Sequence, residues 1–249
     1  MLKICTVYHK GLYTPDYVGK FYRAIKRNSS INFQGVCISD DPNVEADLVL
    51  PLNPYSNIKY HWHKLKFFSE QFAYQSSGIS VDDIIIMDID QVITGNIDEL
   101  LKWPVEKGTL LTYEAWWDRI LKKNGGFYKF KSGTLKHNWD KFSLNPEFWQ
   151  LNYYNLGIVH KKYYGEQNYV FDQATDKYSI ETVPGEWLFK YTNNRKENLE
   201  LQKMYCEKYN ADYAIMGNVN KKIKIVHFAG PGKTIHQNKE QWIKDNWYE

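Results

Sequence analysis

Residues 83–90 read Asp83-Ile84-Ile85-Ile86-Met87-Asp88-Ile89-Asp90 and contain the most apolar run of the chain. A short, continuous apolar run is typical of a strand that is buried on both faces. Strands of this kind occur in sheets that helices cover on both sides. We therefore predict that Asp83–Asp88 is the central strand of an α/β domain.

The segments before this strand alternate between apolar, β-rich runs and helical patterns. Thr14-Pro15-Asp16 supplies an N-cap residue, a proline at the first helical position and an acid in the first turn, and predicts a helix that continues to about Arg27. Alternating strands and helices predict an α/β fold with a mostly parallel, Rossmann-like central sheet flanked by helices. The other predicted elements are strands at Lys3–Tyr8, Phe33–Ile38 and Leu48–Leu52 and a helix from about His61 to Tyr74.

The pattern becomes less regular after Leu101. Residues 125–144 mix glycine, lysine and aromatic residues without a clean period, and we interpret them as a long loop or a small excursion from the domain. Because no repeat or linker interrupts the sequence, we predict a single domain, 1–249, with a nucleotide-binding half at 1–101 and an acceptor half at 102–249. The other predicted elements are strands at Thr109–Tyr113, Asn155–His160 and Ile223–Phe228, a helix at Asn198–Tyr209, and a capping helix or flap at Gln241–Glu249.

Composition excludes several functional classes. The net charge of +3 and only four arginines among 249 residues argue against nucleic-acid binding. Three cysteines without CxxC spacing argue against a disulfide framework. No apolar run is long enough to span a membrane, and the N-terminus lacks the pattern of a signal peptide, so we expect a cytoplasmic protein without a transmembrane segment. The aromatic content of 16% is high; it favours surfaces that bind sugars, bases or proteins, or a core rich in rings.

Asp88 and Asp90 are the first candidate for chemistry. They follow a buried strand at the edge of the sheet where α/β proteins bind ligands, and both carboxylates can reach one hard cation. A divalent ion that also contacts substrate phosphates fits this pattern. The alternative is a haloacid-dehalogenase-like phosphatase with Asp88 as nucleophile and Asp90 as general acid. About 80 residues of α/β pattern precede the motif, which favours the metal interpretation.

The second candidate is the segment His227-Phe228-Ala229-Gly230-Pro231-Gly232-Lys233. A histidine at the end of a strand offers an imidazole ligand, the Gly-Pro-Gly turn brings backbone N–H groups close, and Lys233 can neutralise a phosphate.

Together these motifs resemble the GT-A fold glycosyltransferases, and in particular glycosyltransferase family 8, the glycogenin and galactosyltransferase group, with its small bacterial and viral relatives. The resemblance covers most of the chain in matching order. It is carried by residues 37–42, 61–68, 83–101, 154–159, 172–173 and 227–233.

The resemblance implies a role for each matching residue. Asp88, Asp90 and His227 match the family's metal ligands, with Mn²⁺ or Mg²⁺ as the ion, and Lys64 and Lys233 match basic residues beside the donor. Asn155 and Gly157 match a segment on the acceptor side. Asp172 and Gln173 match a pair near the reactive carbon of the donor sugar in retaining members; a glycine usually precedes that pair, and Phe171 stands there in this chain. The remaining residues that we place at the donor nucleotide are Thr6, Tyr8, Tyr13, Asp40, Ile89 and Gly230.

The sequence thus predicts a metal-dependent glycosyltransferase that moves a sugar from a UDP-sugar to a glycan or lipid-linked saccharide, with retention of configuration. Two further alternatives stay open besides the phosphatase. One is a sugar-nucleotide-forming nucleotidyltransferase, although the Gly-rich signature expected after the first strand is missing. The other is a non-catalytic carbohydrate-binding protein, which would explain the aromatic residues and leave the acids and histidine without a role.

Overall fold

The strand Asp83–Met87 lies at the centre of a seven-stranded sheet in the part of the chain that the structure describes. That structure is a computed structural model covering residues 2–11, 13–52, 57–69, 83–174, 177–192, 194–228 and 235–248. The strands are β1 Leu2–Tyr8, β2 Phe33–Ser39, β3 Leu48–Pro51, β4 Asp83–Met87, β5 Gln91–Ile93, β6 Thr109–Glu114, β7 Lys123–Lys131, β8 Ser179–Val183, β9 Leu188–Tyr191, β10 Ile215–Met216, β11 Asn218–Val219 and β12 Ile225–Phe228.

The described helices are α1 Asp16–Arg27, α2 Asp98–Lys102, α3 Lys136–Leu144, α4 Pro146–Asn155, α5 Glu166–Asp172, α6 Arg195–Tyr209 and α7 Gln241–Asn246. Short 3-10 helices lie at Tyr60–Phe68, Gly185–Trp187 and Ile235–Gln237. The helix predicted from about His61 is thus a 3-10 helix, and its predicted end at Tyr74 lies outside the described residues. No helix among these is long and apolar enough to cross a membrane.

The sheet order is β3-β2-β1-β4-β7-β6-β8. All pairings on the β3 side of β4 are parallel, β7 runs antiparallel to both of its neighbours, and β8 is parallel to β6. A separate three-stranded sheet, β5-β12-β9, follows the central strand. The predicted α/β fold with a mostly parallel sheet is confirmed.

Side chains of β4 alternate between two cores. Ile84 and Ile86 pack in one cluster with Trp62 of the 3-10 helix, and Ile85 packs in the other with Phe21 of α1. Because successive side chains of a strand point to opposite faces, this division requires both faces of the sheet to be covered. The side chains of the apolar run at 84–87 are therefore buried, as its composition predicts.

The loop predicted at 125–144 is wrong, because β7 and α3 occupy this segment. Lys129 interrupts the apolar pattern by which this strand could have been predicted. Its side chain is buried and donates hydrogen bonds of 2.7 Å to the carbonyl oxygens of Leu101 and Trp103. Asp83 lies 3.5 Å from the same ammonium group. A buried lysine that is satisfied by carbonyls and a carboxylate breaks the apolar pattern without breaking the strand.

The strand predicted at Asn155–His160 is also wrong. Helix α4 begins after Asn145, whose side chain accepts a hydrogen bond of 3.1 Å from the Phe148 N–H, and Pro146 occupies the first turn. The helix ends at Asn155, and Gly157 then adopts a positive φ of 71°. Glycine tolerates this conformation, and the chain continues as turns instead of a strand.

Several of the aromatic residues in this chain belong to the core. The Trp116 side chain is buried against Phe189 and Tyr205, and its indole N–H donates a 2.8 Å hydrogen bond to the Leu188 carbonyl. Trp242 in α7 is likewise buried. Helix α7 therefore packs against the core as a capping helix, which was one of the two alternatives predicted for this segment; the other was a flap.

Candidate active site

The acidic pair lies in a turn that two sheets hold in place. The Asp88 N–H donates to the Gly126 carbonyl at 3.1 Å, and the Asp90 carbonyl accepts from the Phe228 N–H at 2.9 Å. The first bond joins the turn to β7 and the second joins it to β12. The side chains of Asp88 and Asp90 are thereby fixed at the carboxyl end of the central strand, where α/β sheets bind ligands.

His227 reaches the acids through strand pairing. In the antiparallel pairing of β12 with β5, His227 lies opposite Gln91, the residue that follows Asp90. One ligand atom from each of Asp88, Asp90 and His227 lies within 4.8 Å of the others, and the His227 Nε2 is 3.7 Å from the Asp90 Oδ1. The structure thus brings together the three residues that the sequence predicts as metal ligands, although His227 lies 137 positions after Asp90 in the chain.

This donor set fits a small divalent cation. Ligands on opposite sides of one such ion are about 4–5 Å apart, which is close to the observed spread. The His227 Nδ1 is buried and has no hydrogen-bond partner within the described part of the chain. Burial raises the pKa of Asp90, an effect that His227 partly offsets. A partly buried carboxylate and an incompletely bonded imidazole are both groups that a bound cation would stabilise.

A buried lysine lies beside the acidic pair. The Lys64 Nζ is 2.6 Å from the Asp88 Oδ1, 3.7 Å from the Glu166 Oε2 and 3.0 Å from the Gly125 carbonyl oxygen. Burial alone would lower the pKa of Lys64, but Asp88 and Glu166 outweigh it, and the pKa lies above its usual value. The ammonium group therefore stays charged and holds Asp88 in one orientation.

Glu166 is a site residue that the sequence analysis missed. Burial raises its pKa to about 7, against the opposing effect of Lys64, and the Tyr128 hydroxyl donates to its Oε1 at 3.1 Å. The next residue, Gln167, accepts a hydrogen bond of 3.1 Å from the Gly125 N–H through its Oε1. Gly165 precedes the pair, so a glycine before an acid and a glutamine was the signal that could have identified them.

The predicted pair Asp172–Gln173 lies at the other end of the same helix, α5. The Asp172 side chain is exposed and accepts a 2.9 Å hydrogen bond from the Tyr153 hydroxyl, while the Gln173 Oε1 accepts one of 2.7 Å from Lys141. At 1.5 Å per residue, Asp172 is about 9 Å further along the helix than Glu166. The acid–glutamine pair that lies beside the acidic turn is therefore Glu166–Gln167, and Asp172–Gln173 lies away from it.

The predicted nucleotide residues divide into two groups. Thr6 and Tyr8 are buried, and their hydroxyls donate to the carbonyls of Met87 at 2.9 Å and Tyr13 at 3.2 Å. Ile89 is buried as well. The Tyr13 hydroxyl, in contrast, donates to the Asp90 Oδ2 at 2.9 Å and belongs to the acidic cluster.

Asp40 lies close to the loop that follows β1. Its carboxylate accepts hydrogen bonds of 3.0 and 3.2 Å from the Lys10 N–H, so it fixes that loop. Gly230 and Lys233 lie outside the described residues. Both predicted acceptor residues are exposed, Asn155 as the last residue of α4 and Gly157 in the turn that follows.

A cleft of about 670 Å³ opens beside this cluster. Its described lining is basic and aromatic and contains no carboxylate. Burial lowers the pKa of His61 to about 3; Lys64 lowers it further and Asp88 opposes the shift. These interactions with Lys64 and Asp88 indicate that this wall of the cleft lies close to the acidic turn. The lining residues are His9, Lys10, Gly11, Tyr60, His61, Lys161, Lys162, Tyr163 and Tyr164.

Comparisons with known proteins give structural matches without sequence matches. No family model and no curated protein matches the chain. The galactosyltransferase LgtC, solved with donor and acceptor sugar analogs, superimposes with a TM-score of 0.61 at 9% identity, over 98% of this chain and 93% of LgtC. The glycosyltransferase GlyE from Streptococcus pneumoniae TIGR4 gives a TM-score of 0.60 at 9% identity, over 94% of this chain. The chain spans only 56% of the length of GlyE. At this identity the matches establish the fold: the chain has the GT-A fold of these glycosyltransferases.

Proposed function

We propose that the protein is a metal-dependent glycosyltransferase that transfers a sugar from a UDP-sugar to a glycan or lipid-linked saccharide. The observation that carries the proposal is the cluster of Asp88, Asp90 and His227, with ligand atoms within 4.8 Å of one another at the carboxyl end of the central strand. The GT-A fold supports the same assignment, because GlyE and LgtC, which share it, are glycosyltransferases.

The residues of the cluster have separate tasks in this proposal. Asp88, Asp90 and His227 hold the cation, Mn²⁺ or Mg²⁺, which would screen the donor diphosphate and stabilise the charge on the departing UDP. The Tyr13 hydroxyl orients Asp90, and Lys64 orients Asp88. The positive charge of Lys64 would also stabilise the negative charge that develops on the departing UDP.

The donor sugar would lie near Glu166 and Gln167. These side chains are the acid and the amide that flank the acidic turn from α5, within the hydrogen-bond network of Lys64 and Gly125. We propose that this pair, in place of Asp172–Gln173, faces the reacting carbon, and that the enzyme retains the anomeric configuration. NMR of the product from an α-linked UDP-sugar tests this: an α-linkage is expected, and a β-linkage would contradict it.

The thermal stability of the protein with UDP tests the proposal as a whole. UDP should raise the Tm in the presence of Mn²⁺ and much less in EDTA, because the diphosphate and the carboxylates repel each other without a cation. At a UDP concentration about 100 times its Kd, the expected stabilisation is about 2.7 kcal/mol. An equal shift in EDTA would contradict the metal-bridged donor site.

The phosphatase alternative has less support. The strand that precedes Asp88 is the fourth along the chain and follows a complete parallel half-sheet, whereas such a motif usually opens its domain. Hydrolysis of p-nitrophenyl phosphate without any nucleotide, abolished by Asp88→Asn, would favour the phosphatase.

A further inference from the structure

The loop at residues 154–164 presents apolar side chains to solvent. Leu156 is 64% exposed and Ile158 is 52% exposed, and Tyr154 beside them is 37% exposed. The backbone here is held by hydrogen bonds from the Leu156 N–H to the Asn152 carbonyl at 3.0 Å and from the Ile158 N–H to the Tyr153 carbonyl at 2.9 Å. The aliphatic side chains therefore project from an ordered turn.

The same loop is positively charged. Lys161 and Lys162 follow the apolar residues and are exposed. The sequence contains no Asp or Glu between Glu147 and Glu166. An apolar tip followed by cations, with no acid to neutralise them, is complementary to an apolar surface that carries negative charge.

One end of the loop is also a wall of the cleft. Lys161, Lys162, Tyr163 and Tyr164 line the cleft, and the Tyr164 ring meets the ring of His61 with centroids 5.4 Å apart. A surface that binds the tip of the loop would therefore lie next to the mouth of the cleft.

We propose that the 154–164 loop binds the surface of a bilayer that contains anionic lipids. Leu156 and Ile158 would enter the boundary between headgroups and acyl chains, the lysines would contact lipid phosphates, and the tyrosines would lie at the interface. Each basic residue near an anionic membrane adds to this attraction. The proposal goes beyond glycosyl transfer and does not depend on it, because binding needs neither donor nor cation. If both hold, the cleft opens towards an acceptor carried by a lipid.

Co-sedimentation of the full chain with vesicles tests the proposal. The protein should bind vesicles of phosphatidylcholine with phosphatidylglycerol and bind pure phosphatidylcholine far less. The double variant Leu156→Ser, Ile158→Ser should bind roughly tenfold less tightly or worse, because it removes two aliphatic side chains that the bilayer would bury. Lys161→Gln and Lys162→Gln should each weaken binding roughly fivefold, the loss expected for one basic residue at an anionic surface.

A matched control lies on helix α6. Leu199 is 58% exposed and the Lys203 side chain is 78% exposed, so Leu199→Ser with Lys203→Gln makes one change of each kind elsewhere on the surface. This variant should bind the anionic vesicles like the wild type. The proposal is overturned if the wild type does not bind these vesicles, or if the control loses as much binding as the loop variants. Sedimentation equilibrium adds a third overturning result: a dimer that the Leu156→Ser, Ile158→Ser variant dissociates, with no vesicle binding, would make the loop a contact between two copies.

Discussion

Helix α5 carries an acid–glutamine pair at each end, and the two pairs have different environments. At the N-terminal end Glu166 is buried, 3.7 Å from the Lys64 ammonium group, and Gln167 is bonded to the Gly125 backbone. At the C-terminal end Asp172 is exposed and bonded to Tyr153, and Gln173 is bonded to Lys141.

The difference shows that residue type alone does not make a site. Both pairs offer a carboxylate and an amide, but only the first lies in a network with a buried cation and the acidic turn. In a buried position each charge interacts through a lower effective dielectric, so its effect on neighbouring groups is larger than at the surface. Substitutions should therefore have large effects at the Glu166 end and small ones at the Asp172 end.

The largest expected effect lies at Asp90, which shares the buried network. Asp90→Asn keeps the size of the side chain and removes the charge that holds the cation, so sugar transfer should fall about 1,000-fold or more. Asp172→Asn makes the same change at the exposed end and should leave transfer within about twofold of the wild type. Release of UDP from the donor, measured at saturating Mn²⁺, compares the two. Near wild-type turnover of Asp90→Asn would remove the basis of the proposed site.

The pH dependence of stability should report the burial of Glu166. Its pKa is raised from 4.5 to about 7 in the folded protein, so the folded state binds more protons than the unfolded state between these values. The contribution of Glu166 to stability is fully present below pH 4.5 and is lost as the pH rises through 7.

This loss should amount to up to about 3 kcal/mol in the free energy of unfolding. Urea unfolding in EDTA across this pH range measures it, and the variant Glu166→Gln should lack that part of the slope. If the wild type and Glu166→Gln have parallel curves, Glu166 is ionised in the folded state throughout.

A direct comparison of the two helix ends follows from Glu166→Gln and Asp172→Asn. Glu166→Gln removes one of the carboxylates that position Lys64, and transfer should fall roughly 10- to 100-fold, as is typical for a residue that supports a metal ligand. Asp172→Asn serves as the matched variant on the same helix. A larger loss for Asp172→Asn than for Glu166→Gln would restore the pair that the sequence predicts.

The smallest expected effects concern the tyrosines that bond the two acids. Tyr153→Phe removes a 2.9 Å hydrogen bond to exposed Asp172 and should cost about 1 kcal/mol or less. Tyr128→Phe removes a 3.1 Å bond to buried Glu166 and should cost more, about 1–3 kcal/mol, because a buried acceptor is left without that partner. Thermal unfolding of both variants checks the order, and equal losses would mean that burial does not distinguish the two ends.

Much of the fold was predictable because its signals are local. The apolar run of β4, the N-terminal signals of α1 and the short strands β1 to β3 each depend on neighbouring residues. One failure occurs where distant residues override the local pattern. Lys129 lies inside a strand because carbonyls from 101 and 103 and the Asp83 carboxylate satisfy it, and no window around residue 129 contains those partners.

The sequence by itself determined that two carboxylates end the central strand and that a histidine ends a later one, because strand patterns and the residues after them are local properties. Only the tertiary structure decided which acid on α5 joins them. Lys64, Asp88 and Glu166 come from three separate elements, and their electrostatic interaction depends on distances of 2.6 and 3.7 Å that arise when those elements pack. Burial and charge pairing are properties of the folded molecule. Before the chain folds, nothing in their surroundings distinguishes the carboxylate of Glu166 from that of Asp172 at the other end of α5.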